Sequence, residues 1–107
     1  MSEEKSKGLK FDQDKPRLDL LPFECLLEVG KVLTFGAKKY SPGNWKVVED
    51  AQSRYQAALL RHFAAMQKGD LLDPESCLLH SAHIATCAIF LIHFDLLKLV
   101  AGKQPNE

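Results

Sequence analysis

Apolar residues recur at helical spacing through three stretches of this chain, and short segments where the spacing fails separate them. From Phe23 to about Lys39, the positions Leu26, Val29, Leu33 and Ala37 form one stripe, with Glu24, Glu28 and Lys31 on the opposite face. Pro22 suits the first turn of that helix, where a missing N–H costs nothing. The segment SPGNW, Ser41 to Trp45, carries Pro-Gly and Gly-Asn turn signals. A second helix follows, capped by Asp50 or Ser53 and stopped at Gly69. Its buried stripe is Tyr55, Leu59, His62 and Met66, with Arg54, Ala58, Arg61 and Ala65 on the adjacent flank. Asp73-Pro74-Glu75 then has the residues of a helix start: a capping acid, a proline at the first helical position and an acid at the positive dipole end. No breaker follows until Gly102.

The pattern predicts an all-α fold with three main helices, at about 22–39, 51–68 and 74–100, and an extended N-terminal arm. One helical domain over residues 9–102 is expected between flexible ends at 1–8 and 103–107. Between Cys77 and Val100 the third helix is apolar on most of its circumference, so nearly all of its sides need cover. At ~1.5 Å per residue it is a rod of about 40 Å. Two shorter helices from the same chain do not shield such a rod, and the expectation is a bundle completed by oligomerisation, as a homo-oligomer of two or more copies.

Composition narrows the function classes. The 107 residues balance 14 Lys+Arg against 14 Asp+Glu, which argues against a duplex nucleic-acid binder and leaves room for a local basic pocket. Cys25, Cys77 and Cys87 form no CxxC pair and read as small buried hydrophobes in a reducing compartment. The N-terminal residues lack the apolar core of a signal peptide, and the nearly apolar run Ile84 to Ile92 is far shorter than the ~20 residues of a membrane span. A cytoplasmic protein without a membrane partner is expected.

Three groups of residues carry candidate chemistry. On the third helix Ser76, His80, His83 and Cys87 share one strip, continued by Phe90 and Phe94, and the two imidazoles suit a metal, a proton or a phosphate. His62, within an apolar stripe, needs a polar partner, and three histidines directed at one helix interface exceed what packing requires. The plainer alternative is that these rings are satisfied structural histidines; His93, on another face, reads that way. Glu24 and Glu28 have the spacing to share a divalent cation, or simply form a solvated acidic face relieved by Lys31. In the loop from Gly36 to Lys46, Lys38 and Lys39 suit phosphate oxygens, Tyr40 or Trp45 a base, and Asn44 a base edge. Equally, the lysines complement a helix dipole and Trp45 pins the loop in the core. Arg17, Arg54 and Arg61 complete the cations available to an anionic ligand.

The blocks KFDQDKPRLDLLP (10–22), LTFGAKKYSPGNW (33–45), ALLRHFAAMQKGD (58–70) and DPESCLLHSAHIATCAIFL (73–91) resemble a family of small phage and prophage proteins, dATP/dGTP diphosphohydrolase-like and distantly tied to the MazG-like all-α NTP pyrophosphohydrolases. The resemblance implies an oligomeric helical domain that handles a purine deoxynucleoside triphosphate with Mg²⁺. Glu24, Glu28 and Glu75 would then hold the metal, with Asp73 as a further candidate, and Lys38, Lys39, Arg54 and Arg61 would bind phosphates. His80 or His83 would orient the attacking water, with Glu28 also in the catalytic set. MazG-like enzymes carry E-x-x-E and E-x-x-D pairs on successive helices. Here Glu24 and Glu28 are spaced i,i+4, helix two has no acid between Arg54 and Lys68, and Leu78 and Leu79 stand where a partner for Glu75 would be. The alternative is a non-catalytic protein that sequesters a nucleotide second messenger of host anti-phage immunity. A third possibility is an oligomeric interaction protein.

Overall fold

The computed structural model describes residues 8, 9, 11 and 13–102. It is all-α: α1 spans Phe23–Lys39, α2 Ala51–Gln67 and α3 His80–Gly102, with 3₁₀ turns at Leu18–Leu20 and Asn44–Val47. The expected flexible ends, 1–8 and 103–107, lie outside the described residues apart from Gly8. α3 is the spine, packed along α2 and, over a smaller area, against α1.

Pro22 occupies the cap position of α1, and its carbonyl accepts the first helical bond from the Leu26 N–H at 3.1 Å. Glu24 in the first turn and Lys38 and Lys39 in the last match the helix dipole. The buried line of α1 is Val29 and Val32, whereas Leu26 and Leu33 remain partly exposed, at 39% each. The expected stripe is therefore rotated, because α1 meets the rest of the chain mainly through α3. α2 begins after Asp50, whose left-handed backbone gives no side-chain cap, and ends before Gly69, whose φ of 94° suits a residue without a Cβ.

The main departure from the pattern is where α3 starts. Asp73 Oδ2 does accept the N–H groups of Glu75 (3.1 Å) and Ser76 (2.9 Å), as a cap should. The turn stops at Cys77, which has φ 61°, and the Ser76 hydroxyl takes the Leu78 N–H that a helix would have used. A short antiparallel bridge between Leu72 and Leu79 closes this loop, and the helix begins at His80.

Two of the three cysteines also depart from expectation. Cys25, in the first turn of α1, and Cys77, at the loop break, are exposed; Cys87 is buried. By length and composition α3 would suffice to cross a membrane, unlike the shorter run that the sequence suggests. His80, His83, His93, Asp95 and Lys98 lie along it.

Candidate functional site

The folded-back loop at 73–79 brings a carboxylate and a hydroxyl onto the histidines of two helices. His62 projects from the middle of α2, while His80 and His83 lie on the first turn of α3. His62 Nδ1 stands 2.8 Å from His80 Nδ1, and the His62 ring stacks on that of His83 at 4.4 Å with an interplanar angle of 9°. On the far side of His83, Nε2 lies 2.7 Å from the Ser76 hydroxyl. Asp73 Oδ1 approaches His62 Nδ1 at 4.0 Å, its other oxygen being held by the loop's own N–H groups.

Burial governs the electrostatics of this cluster. It pushes the His62 pKa below that of an ordinary histidine, and the neighbouring His83 adds to the push while Asp73 opposes it. His83 is lowered for the same first reason, again against the pull of Asp73. Burial works to raise the Asp73 pKa, but the backbone and side-chain hydrogen bonds from Ser76, with His83 and His62 nearby, outweigh it and hold the carboxyl below its usual value. The site at neutral pH is thus an ionised carboxylate beside two neutral imidazoles.

His80 is only 4% exposed, and among the described residues its Nε2 has no hydrogen-bond partner. The contact with His62 requires one Nδ1 to donate and the other to accept. If His80 donates, its Nε2 is an unused acceptor; if it accepts, its Nε2–H is an unused donor. Either tautomer leaves one buried polar atom unsatisfied, at a cost of about 1–3 kcal/mol.

The family described as dATP/dGTP diphosphohydrolase, N-terminal, matches residues 5–102. The chain belongs to that family. A dATP/dGTP diphosphohydrolase of Salmonella phage PMBT28 is 36% identical over 84 residues, a match covering 78% of this chain and 28% of that relative. The chain therefore spans less than a third of the length of the relative it matches. No solved structure matches.

For this diphosphohydrolase-family chain, the structure gathers some expected site residues and disperses others. His62, His80 and His83 converge. Lys39 reaches the cluster's edge through an ion pair with Glu75. Lys38 and Tyr40 follow at the exposed end of α1, with Lys39 Nζ 5.3 Å above the Tyr40 ring. Arg54 and Arg61 are exposed on α2. Arg17 is exposed in the arm and paired with Asp19 at 2.7 Å.

Trp45 stacks on Phe90 at 4.1 Å and 11°, with His93 and Phe94 against its edges, as expected of a loop pinned to the core; Asn44 beside it is half-buried. Glu24, Glu28 and Glu75 do not converge as the Mg²⁺ expectation requires. Glu24 is exposed, Glu28 is paired with Lys31 at 2.8 Å, and Glu75 with Lys39. Among the described residues, the ligand-atom group of three that comes together is His62, Asp73 and His80, within 4.8 Å of one another. Among the described residues of one chain, no glutamate cage for Mg²⁺ is assembled. Asp73 and Ser76 complete the site. The spacing that groups Ser76 with His80 and His83 finds the right partners, although Ser76 reaches His83 from a loop rather than from the helix, and the approach of Asp73 to His62 is made by that loop.

Proposed function

We propose that this chain handles purine deoxynucleoside triphosphates, cleaving dATP or dGTP to the monophosphate and pyrophosphate. Family membership supports the substrate class. The observation that carries the reading is the cluster of His62, His83, Asp73 and Ser76, beside an α1 terminus rich in cations.

In the proposed reaction, water adds to the α-phosphorus, the bond from that phosphorus to the α–β bridging oxygen breaks, and pyrophosphate leaves with the electron pair. His83, half-buried and neutral, is the better of the two histidines to orient that water and take its proton, because His80 is buried. Lys38, Lys39, Arg54 and Arg61 hold the phosphates, and Tyr40, exposed at the same end of α1, offers a face to the base. Mg²⁺ carried in on the triphosphate would neutralise phosphate charge and would need few ligands from the protein. We place the protein in the cytoplasm as an assembly of identical copies, bound to neither duplex nucleic acid nor membrane.

The test is pyrophosphate release from a dNTP panel with Mg²⁺. dATP and dGTP should be cleaved, and His83→Gln should slow cleavage by about 10²–10⁴-fold, the usual worth of general-base catalysis. A flat trace with every nucleotide, together with stoichiometric retention of one nucleotide after desalting, would replace hydrolysis with sequestration.

A further inference from the structure

Two imidazoles and a carboxylate meeting at a helix junction form a donor set with preferences of its own. Magnesium and calcium take oxygen shells, whereas neutral imidazole suits zinc and its first-row neighbours. We propose that His62, His80 and Asp73 bind a divalent transition-metal ion of the zinc type, leaving a fourth position open to a phosphate oxygen or water.

The three ligand atoms already lie within 4.8 Å of one another. A tetrahedral ion with Zn–N distances of 2.0–2.1 Å holds its two nitrogens about 3.3 Å apart. The observed Nδ1–Nδ1 separation is 2.8 Å, so the rings need to part by roughly half an ångström. The carboxylate is prearranged for the task. Backbone N–H groups of Glu75 and Ser76 hold Asp73 Oδ2, which leaves Oδ1 on the side of His62. Such outer contacts are what orient a metal ligand. His83 stacks on His62 and is fixed by Ser76, so it borders the site without being needed as a ligand.

A ring-to-ring hydrogen bond alone accounts for less. It leaves Asp73 Oδ1 at 4.0 Å from His62, beyond hydrogen-bond reach. Three protein ligands with an open fourth position is the pattern of catalytic rather than structural zinc sites.

This inference goes beyond the hydrolase reading and is tested by a metal readout. Full-length protein stripped with EDTA and titrated with Zn²⁺ should take up one equivalent per chain, and millimolar Mg²⁺ should not displace it. Co²⁺ should bind at the same site with the visible bands of a tetrahedral ion. His62→Ala and Asp73→Asn should each weaken Zn²⁺ binding by about 100-fold while helical circular dichroism persists. His93→Ala, on another face of α3, should leave binding unchanged. X-ray absorption of the zinc-loaded wild type should report two imidazoles and oxygen, a measurement that holds even if the variants misfold. No stoichiometric uptake, a sulfur ligand, or binding indifferent to His62 would overturn the proposal. Zinc uptake by a protein that cleaves no nucleotide would sink only the hydrolase reading, and cleavage without uptake only this one.

Discussion

His62 and His83 should make this protein sensitive to mild acid. Both have folded-state pKa values lowered by burial, so as pH falls below the ordinary histidine value of 6.5 the unfolded chain takes up protons first. Their contribution to stability is fully present above 6.5, declines as pH falls, and is lost once pH passes through the folded values. In chelator, urea midpoints should therefore drop between about pH 7.5 and 5.5, and His62→Asn should flatten that slope. An identical slope in the variant would mean that the imidazoles are not the cause. A second residue-scale prediction concerns Phe90, 8% exposed and stacked under Trp45. Phe90→Ala should cost about 3 kcal/mol in chemical denaturation and release the Trp45 fluorescence from its packed environment.

The loop between α2 and α3 determines where the site's third helix begins. Asp73 supplies a cap, yet Cys77 at φ 61° ends the turn, and Ser76 diverts the Leu78 N–H. A left-handed non-glycine residue costs about 1–2 kcal/mol, of which glycine's greater backbone freedom takes back about 0.5–1. Cys77→Gly should therefore raise stability by about 0.5 kcal/mol and leave nucleotide handling intact. A fall in thermal midpoint would mean that the Cys77 side chain has a role that its exposure conceals. The acids and the proline at 73–75 made a helix start legible here, and the cap is indeed formed. That the helix does not continue was not legible, because the competing bonds run from Leu71 to His80 and from Asp73 to Leu78, across the loop rather than along the chain.

At the scale of the whole molecule, many apolar side chains among the described residues are exposed. Leu96, Leu97, Leu99 and Val100 at the end of α3 are each more than half exposed, as are Leu18, Leu20 and Phe23 in the arm and the start of α1. That exposure supports the proposed assembly, since large apolar side chains left in water favour an interaction face. Sedimentation should give a mass of two or more chains, and Leu97→Glu should shift it toward one. A wild-type mass of one chain would refute the assembly. The convergence of His62 with His80 and His83 was anticipated from the stripes they occupy, because a polar ring on an apolar stripe needs a partner across the interface. The dispersal of Glu24, Glu28 and Glu75 was not, since spacing reports a shared face of one helix and says nothing of what stands opposite it.

The heptad-scale rhythm of apolar positions was enough to determine three helices and the all-α class, because helical amphipathicity is a local property. The shared face of His80 and His83 is local too, as is the capping chemistry at Asp73. Which groups meet was decided only by tertiary packing. A broken turn carries Asp73 and Ser76 back onto rings from two helices, and Lys39 at the end of α1 engages Glu75 of that loop. Contacts between residues distant in sequence follow from how elements dock, and no periodicity along the chain encodes them.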